Sequence, residues 1–194
     1  LLNSVLDMSK IESGKMQLVE EDFNLSKLLE DVIDFYHPVA MKKGVDVVLD
    51  PHDGSVFKFS NVRGDSGRLK QILNNLVSNA VKFTVDGHIA VRAWAQRPGS
   101  NSSVVLASYP KGVSKFVKSM FCKNKEESST YETEISNSIR NNANTMEFVF
   151  EVDDTGKGIP MEMRKSVFEN YVQVRETAQG HQGTGLGLGI VQSL

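Results

Sequence analysis

Apolar residues between positions 65 and 84 recur at intervals of three and four, which is the spacing of one buried face of an α-helix. The face comprises Leu69, Ile72, Leu73, Leu76, Val77 and Ala80. Asp65 stands just before it, where an aspartate side chain accepts hydrogen bonds from the first free N–H groups of a helix. The pattern therefore predicts a core-facing helix from Asp65 to Thr84.

A second stripe with the same period predicts another helix, which begins after Asn24 as its N-cap. Pro38 and Gly44 are expected to bracket the end of this helix, where Lys42 and Lys43 would offset its C-terminal dipole. The apolar positions of the stripe are Leu25, Leu28, Leu29, Val32, Ile33 and Tyr36.

Alternating apolar and polar positions, or short runs of strand-forming residues bounded by turns, predict the extended segments. These segments are Lys15–Phe23, Val45–Leu49, Val56–Phe59, His88–Ala95 and Met146–Val152. Within one of them Ile89, Val91 and Ala93 fall on the same side, as expected for a sheet with one covered face. Short helices are predicted from Pro160 to Phe168 and after Gly187.

Residues 97–145 differ in character, since this stretch is rich in small polar residues and is predicted to be a long surface insertion. Its middle, from Lys111 to Lys125, has apolar residues at helical spacing among five lysines. The segment is predicted to be a basic amphipathic helix, which binds a partner or membrane surface or packs on its own domain. Its apolar residues are Val113, Phe116, Val117, Met120 and Phe121.

The first residues, Leu1 to Ser13, have coiled-coil-like spacing, and Gly14 is placed to end a helix there. A helix of this length is marginal alone, so it is expected to pack either on a partner helix outside the chain or on its own domain. Because the chain starts in mid-helix without Met, we expect it to be a piece of a larger protein.

Composition narrows the function classes. The 194 residues, 40% hydrophobic and 24% charged, suffice for one compact domain with a sizeable core. A formal net charge of -2 gives no reason to expect nucleic-acid binding. The single cysteine, Cys122, excludes an internal disulfide and a cysteine-built zinc site. No apolar run approaches the ~20 residues that span a bilayer.

Candidate chemistry lies on the helix from Asp65 to Thr84, where Asn75, Asn79 and Lys82 fall within about 60° of one another at ~100° per residue. Amide oxygens suit a hard cation and an ammonium suits phosphate, so this rim fits a metal-bound polyphosphate. The alternative is a solvated helix face, which composition alone favours.

Two glycine-rich turns add to this candidate site. Asp154-Thr155-Gly156-Lys157-Gly158 follows the strand-like run Met146–Val152, and an acidic residue there with two spaced glycines resembles a ligand-binding turn. Gly183-Thr184-Gly185-Leu186-Gly187 precedes a predicted helix, whose free N–H groups would point at a bound anion. The sequence has no Gly-x-x-x-x-Gly-Lys-Ser/Thr motif and no strand opening onto the glycines, which excludes P-loop and Rossmann arrangements.

The order of these motifs resembles the catalytic ATP-binding domain of sensor histidine kinases, in the GHKL superfamily that also holds gyrase, HSP90 and MutL. The segment Leu6 to Gly14 is similar to the end of the dimerisation helix in hybrid kinases, and its residue sequence resembles that of a plant hybrid kinase. The matching motifs are Asn75 to Phe83 for the N box, Asp154 to Gly158 for the G1 box, Phe168 to Tyr171 for the F box and Gly183 to Gly187 for the G2 box.

The resemblance implies an α/β two-layer sandwich, the Bergerat fold, with a mixed sheet covered by helices on one face and ATP bound under a mobile lid at residues 172–182. It implies that residues 1–22 are the end of the dimerisation domain and a linker. Residues 23–194 would then be the catalytic domain, stopping before its last two strands and carrying the insertion at about 97–145.

The resemblance also implies ATP and Mg²⁺ as cofactors and assigns roles by position. Asp154 would accept a hydrogen bond from the adenine amino group, and Asn79 would ligate Mg²⁺. Asn75 and Lys82 would face the phosphates as catalytic residues. The other implied nucleotide contacts are Phe83, Gly156, Gly158, Ile159, Tyr171, Gly183, Thr184, Gly185, Leu186 and Gly187.

Asn75 carries a mechanistic expectation, because the related ATPases have a glutamate at this position that activates water. An amide lacks the basicity for that task, so hydrolysis is disfavoured and the γ-phosphoryl group is left for a histidine on the dimerisation helix. That histidine is expected outside the chain, since no histidine of this sequence lies in the acidic context of a phosphoacceptor: His37, His52, His88 and His181.

Three functions are compatible with these motifs. The first is a protein histidine kinase that feeds a His-to-Asp phosphorelay, although this fragment alone is not expected to autophosphorylate. The second is an inactive nucleotide-binding docking module, and the third is a hydrolysing ATPase, which Asn75 disfavours. Asn170, where the family often has proline, predicts a looser lid anchor.

The resemblance implies partners as well. These are the dimerisation domain of the same protein, a receiver domain or phosphotransfer protein, and a second copy in a homodimer, with no nucleic acid. The domain is expected to face the cytosol in a membrane-anchored parent protein.

Overall fold

The computed structural model describes residues 9, 13, 17–59, 61–97, 107–108, 113–118, 146–164, 166–169, 185 and 187–193. The strands within them are β1 (Glu21–Asn24), β2 (Val45–Asp50), β3 (Asn61–Gly64), β4 (Gly87–Gln96), β5 (Ala107–Ser108), β6 (Val113–Lys118) and β7 (Glu147–Asp154). The helices are α1 (Leu25–Met41), α2 (Ser55–Lys58), α3 (Ser66–Phe83) and α4 (Gly187–Ser193), with two 3₁₀ helices at Met161–Met163 and Ser166–Phe168.

The strands form a five-stranded mixed sheet in the order β2-β4-β7-β6-β5 and a separate two-stranded sheet of β1 and β3. Strands β2 and β4 are parallel, whereas the other neighbours in the large sheet are antiparallel. The central pair, β4 and β7, runs from Ile89 opposite Asp154 to Gln96 opposite Glu147. This register places the end of β7 beside the start of β4.

Helices α1 and α3 cover one face of the large sheet. Helix α1 packs on β2 and on α3, while α3 also contacts β4 and β7. The alternation predicted for β4 is confirmed, and the buried residues of the covered face include Ile89, Val91, Ala93, Phe148, Phe150 and Val152. The described residues therefore form the predicted two-layer α/β arrangement.

The opposite face of the sheet carries a charged cluster centred on Arg92. Its Nε lies 3.0 Å from Asp50 Oδ2, and its Nη1 lies 2.8 Å from Glu151 Oε1 and 3.1 Å from Asp153 Oδ2. These hydrogen bonds, above all the one to Glu151, raise the pKa of Arg92 further above its ordinary value. One guanidinium thus ties together β2, β4 and β7.

Helix α1 begins and ends where the sequence predicts. The Asn24 side chain accepts a hydrogen bond from the Lys27 N–H at 2.8 Å. The helix ends at Met41, between Pro38 and Gly44 as predicted, and it contains Pro38. Ala40 in the last turn is fully buried, so packing stabilises that turn although proline cannot donate a backbone hydrogen bond.

The predicted strand at Val56–Phe59 is instead the short helix α2. Gly54 has a left-handed φ of 70°, and Asp53 Oδ1 accepts from the Ser55 N–H at 2.9 Å. Such turn interactions start a helix rather than a strand. Ser55 Oγ then accepts from the Ala95 N–H at 2.8 Å and attaches α2 to β4. Strand β3, which follows, was not predicted from its composition.

Strand β6 replaces the predicted helix of Lys111 to Lys125 over residues 113–118. It pairs antiparallel with β7 along its whole length, and β5 extends the sheet by one more strand. The apolar spacing over these few residues fits either period, and the edge of β7 offers backbone hydrogen bonds that decide between them. The two strands also correct the interpretation of residues 97–145 as surface insertion throughout.

Other predicted segments are only partly described. The predicted helix from Pro160 to Phe168 is two short 3₁₀ helices. The predicted helix of Leu1 to Ser13 lies outside the described residues except for Ser9 and Ser13, whose N–H donates to the Ser9 carbonyl at 3.1 Å. Met120 and Phe121 also lie outside them. Among the helices that the structure describes, none has the length and apolar character to cross a membrane.

Candidate functional site

Asp65 fixes the start of α3, as the sequence predicts. Its Oδ1 accepts from the Arg68 N–H at 3.0 Å, and its Oδ2 accepts from the Val19 N–H at 3.1 Å. Its Oδ2 also lies 3.1 Å from the Nε of Arg68. All six residues of the predicted apolar stripe are buried, together with Val81. Cap and stripe fix the rotation of α3 about its axis, which decides the residues that face away from the core.

The rim beside the buried stripe of α3 contains Asn75, Asn79 and Lys82, each half-buried. The rim lies beside the start of α4, because a Cβ placed on Gly187 would be 3.7 Å from Asn75 Oδ1 and 3.8 Å from Asn79 Nδ2. The fold therefore brings the two predicted amides next to the last glycine of the second glycine-rich turn. These segments are far apart in sequence.

Asn75 holds an unused donor at this place. Its Nδ2 is buried and has no hydrogen-bond partner in the described part of the chain, while the main-chain carbonyl of Asn75 accepts from Ser78 Oγ at 3.2 Å. A buried polar group without a partner costs about 1–3 kcal/mol. The site therefore favours a ligand that brings an acceptor oxygen to this amide.

The C-terminal turn of α3 is held by Lys43, which follows α1. Its Nζ donates to the carbonyl of Val81, and to those of Lys82 and Thr84 at 3.4 and 2.9 Å. The expectation that Lys43 offsets the dipole of its own helix is thus corrected, since its ammonium lies at the negative end of α3. The sequence contains no local signal for this contact.

Asp154 ends β7 as a half-buried residue, and its Oδ1 accepts from the Gly156 N–H at 2.9 Å. Burial raises the pKa of the Asp154 carboxyl above its ordinary value, the hydrogen bond from Gly156 lowers it, and the negative charge of Asp153 raises it. One carboxylate oxygen is engaged within the turn. The other is suited to accept a hydrogen bond from a ligand.

Gly156 packs directly against the end of α3. A Cβ at this position would lie 2.7 Å from the Phe83 carbonyl oxygen and 2.7 Å from Asp154 Oδ1, so no side chain fits. Gly158 has a φ of 69°, in the left-handed region that favours glycine. The first glycine of this turn thus allows the turn to contact α3.

Two ammonium groups lie near the Phe83 ring. The Nζ atoms of Lys82 and Lys157 are 4.9 and 5.6 Å from the ring centre, within the range of cation–π attraction. Lys157 was not predicted as a site residue, and its position between the two glycines was the only signal for it. Positive charge from α3 and from the glycine turn therefore converges on one ring.

The remaining predicted site residues are described only in part. Ile159 is half-buried, and its carbonyl accepts from Arg164 Nε at 3.2 Å. Gly185 has a φ of 70°. Within the described ranges, no group of three or more His, Cys, Asp and Glu side chains is placed to hold a metal ion. Outside those ranges lie Tyr171, Gly183, Thr184 and Leu186, with Asn170 and the residues 172–182 predicted to be a lid.

Comparison with known proteins gives consistent matches. Residues 117–194 match the family described as histidine kinase-, DNA gyrase B-, and HSP90-like ATPase. Probable histidine kinase 2 of Oryza sativa subsp. indica is 50% identical over 196 residues, which cover 100% of this chain and 18% of that protein. Histidine kinase 1 of Arabidopsis thaliana is 40% identical over 195 residues, which cover 100% of this chain and 15% of that protein.

The fold has a counterpart among solved structures. The crystal structure of full-length ShkA in complex with AMPPNP superimposes with a TM-score of 0.58 at 24% identity, covering 98% of this chain and 29% of that one. The likeness shows a shared fold. The chain spans less than a fifth of the length of the two curated relatives described above.

Proposed function

We propose that this chain, a homologue of the plant histidine kinases, binds Mg-ATP and donates the γ-phosphoryl group to a histidine. The match of residues 117–194 to the histidine kinase-, DNA gyrase B-, and HSP90-like ATPase family supports the proposal. The acceptor would lie on a dimerisation helix of the same protein. From there a receiver aspartate or a phosphotransfer protein would take the group, in a homodimeric, membrane-anchored parent.

The observation that carries this proposal is the approach of Gly187 to Asn75 and Asn79. It places backbone without a side chain next to two amides, one of which has a buried Nδ2 without a partner in the described part of the chain. A phosphate oxygen would satisfy that donor. Lys82 on the same rim, and Lys157 across the Phe83 ring, supply the positive charge that a polyphosphate needs.

The donor set fits a magnesium ion that enters with its nucleotide. Asn79 offers one neutral amide oxygen, and Mg²⁺ in nucleotide sites is held by few protein ligands, with phosphate oxygens and waters completing its octahedron. The chemistry that the ion supplies when bound is neutralisation of phosphate charge. Asn79 would then be its direct protein ligand.

The chain's own residues would position the nucleotide for transfer. Asn75 has no basicity to activate water, so it would hold the phosphates without promoting hydrolysis. Transfer would break the bond between the γ-phosphorus and the bridging oxygen and form a phosphorus–nitrogen bond to the histidine. Catalysis would therefore consist of positioning and charge neutralisation.

Adenine would be recognised at the other end of the site. The Asp154 carboxylate, with one oxygen engaged by Gly156, would accept from the exocyclic amino group with the other oxygen. An amino group is present at that position in adenine, whereas guanine has a carbonyl oxygen there. A carboxylate acceptor is thus suited to prefer ATP over GTP.

The test is Asn79→Ala in the full chain, titrated with a fluorescent ATP analogue with and without Mg²⁺. The gain in affinity that Mg²⁺ confers should fall by at least about 10-fold, because the loss of an outer-shell partner alone costs about 10–100-fold in metal affinity and Asn79 is the proposed direct ligand. Asn74→Ala is the matched control, since this side-chain amide lies outside the rim and the main-chain carbonyl of residue 74, which accepts from the Tyr36 hydroxyl at 3.3 Å, is kept in the variant. Equal metal dependence in Asn79→Ala and the unaltered chain would remove Asn79 from the metal site.

The parent protein, which would contain the dimerisation helix, separates the candidate functions when ATP carries a labelled γ-phosphate. Label on a histidine supports the kinase. Nucleotide binding without labelled histidine supports the docking module, and released inorganic phosphate without labelled histidine supports the hydrolysing ATPase.

A further inference from the structure

Thr155 has an unusual set of hydrogen bonds at the point where β7 ends. Its Oγ1 accepts from the His88 N–H at 3.0 Å and lies 3.1 Å from the Asp86 carbonyl and 3.3 Å from the His88 carbonyl, to one of which its single proton is donated. Its backbone N–H donates to the His88 carbonyl at 3.2 Å. The side chain thus takes over a partner that a strand would normally satisfy with its backbone.

Because the Thr155 hydroxyl takes the place of a backbone acceptor, the main chain can leave the β4–β7 ladder at this point. In the register of β4 and β7, Asp154 lies opposite Ile89, so His88 would next pair with the backbone at Thr155. Because the hydroxyl accepts the His88 N–H, the carbonyl of Thr155 is not needed in the ladder. The chain can therefore turn away at once toward α3.

Gly87 is the counterpart of the hydroxyl on β4. It has a φ of 107°, and a Cβ built on it would lie 2.3 Å from Thr155 Oγ1. No side chain is compatible with that distance, so the hydroxyl occupies the space that a Cβ would fill. Gly87 and Thr155 are matched to each other across the two strands.

The turn released in this way determines how the Asp154 carboxylate points. Gly156 follows Thr155 directly, meets the Phe83 carbonyl and donates its N–H to Asp154 Oδ1. If the hydroxyl did not hold Thr155 on β4, Gly156 would lose its place and the carboxylate its orientation. The position of a hydroxyl therefore fixes which carboxylate oxygen faces a ligand.

We propose that Thr155 is a positioning residue that sets the selectivity of the site for adenine, by holding the turn that orients the Asp154 carboxylate. The inference rests on the proposed function, because it takes an adenine nucleotide as the ligand. Thr155 itself contacts β4 and acts through Gly156 and Asp154.

The experiment compares Thr155→Val, which keeps the branched shape without the hydroxyl, with Thr155→Ser, which keeps the hydroxyl. Calorimetry on the full chain measures the affinity for ATP, GTP and inorganic triphosphate in the presence of Mg²⁺. Thr155→Val should lose about tenfold in ATP affinity, the value of about one hydrogen bond, and most of its preference for ATP over GTP. Its affinity for triphosphate should remain, whereas Thr155→Ser should keep the ATP preference.

A purely structural role would lower the thermal midpoint of Thr155→Val without changing the ratio of ATP to GTP affinity, and that result overturns the proposal. Thr155→Ala gives a second variant without the hydroxyl and without steric demand, and it should show the same loss of selectivity. Asp154→Asn separates the two levels of inference. If Asp154→Asn keeps the ATP preference, the proposed adenine contact fails; if it loses the preference while Thr155→Val and Thr155→Ala keep it, only the role of Thr155 fails.

Discussion

At the scale of single residues, Asp154 combines burial with a structural hydrogen bond. Desolvation penalises its charged form more than the Gly156 N–H compensates, so its pKa lies above the 3.8 of an ordinary aspartate. A carboxylate that accepts from an amino group must be ionised to act as an acceptor at both oxygens. Its titration should therefore be visible in nucleotide binding.

Acidification is expected to weaken ATP binding as the pH falls through the raised pKa of Asp154, at a higher pH than for an ordinary aspartate. The effect on folding without nucleotide has the opposite sign. Protonated Asp154 favours the folded chain below the pKa of the unfolded state, and this contribution is lost as the pH rises through the folded-state pKa. Calorimetry across the acid range measures binding, and urea unfolding measures stability.

Asp154→Asn is the reference for this measurement, because ATP itself also takes up protons in acid. The variant should retain the titration of the ligand and lose that of the protein. An identical acid dependence in the variant and the unaltered chain would remove Asp154 from the adenine contact.

Sequence reasoning succeeded where a residue acts on its near neighbours. Asn24 and Asp65 were predicted as caps from their residue types and positions. Each indeed accepts from an N–H three residues further along. It failed for Lys43 and Thr155, whose partners are about 40 and nearly 70 residues away and carry no local pattern. Such contacts depend on how the elements pack, which single-residue types do not reveal.

At the scale of elements, α3 carries much of the candidate site, and a side chain fixes each of its ends. Asp65 caps its start and Lys43 binds the carbonyls of its last turn. Lys82 and Phe83 lie in that last turn, so the ammonium of Lys43 supports the segment that carries the charge and the ring of the site. A displacement of α1 would therefore shift the last turn of α3 and with it the candidate nucleotide site.

Lys43→Met should lower the free energy of unfolding by about 1–2 kcal/mol, because it removes a cation from the negative end of α3 and leaves its carbonyls without that donor. ATP affinity should fall as well, since the last turn of α3 loosens. Urea unfolding and nucleotide titration on the same preparations give both values.

Lys42→Met is the control for this substitution, because the neighbouring exposed lysine has its place at the C-cap of α1. It should leave both quantities nearly unchanged. Equal losses in the two variants would mean that general charge, rather than the bonds to α3, explains the effect.

The prediction of elements followed the clarity of their periodicity. Helix α3 has a long apolar stripe with a cap, β4 alternates over several residues and β7 is a continuous run of strand-forming residues, so each was predicted close to its observed bounds. Residues 113–118 have too few apolar positions to distinguish a helix from a strand, and β7 supplies the pairing that decides for the strand. Pairing between strands that are distant in sequence cannot be predicted from a short stretch of residues.

At the scale of the whole molecule, the large sheet depends on a segment that reads as a loop. The helices cover one face, but the edge of β7 away from β4 is paired by β6. Without β6, the backbone N–H and C=O groups along this edge of β7 would be unpaired and could pair with a strand of another chain. Strand β6, within residues 97–145, therefore contributes to the stability of the sheet.

Replacing residues 97–145 with a short Gly/Ser turn should leave ATP affinity nearly intact and lower the free energy of unfolding by on the order of 3 kcal/mol, from several lost backbone hydrogen bonds. Replacing only residues 119–145 should preserve β6 and most of that stability. Thermal unfolding, light scattering and ATP titration of both variants distinguish these effects. Loss of ATP binding in the shorter replacement would show that residues 119–145 take part in the site.

The Arg92 cluster has a consequence for the electric field around the molecule. One guanidinium and three carboxylates sum to -2, which equals the formal net charge of the whole chain, so the remaining charges cancel. The cluster itself thus carries a local excess of negative charge, whereas Lys82 and Lys157 place positive charge at the end of α3. A polyanion is repelled close to the Arg92 cluster and attracted close to the end of α3.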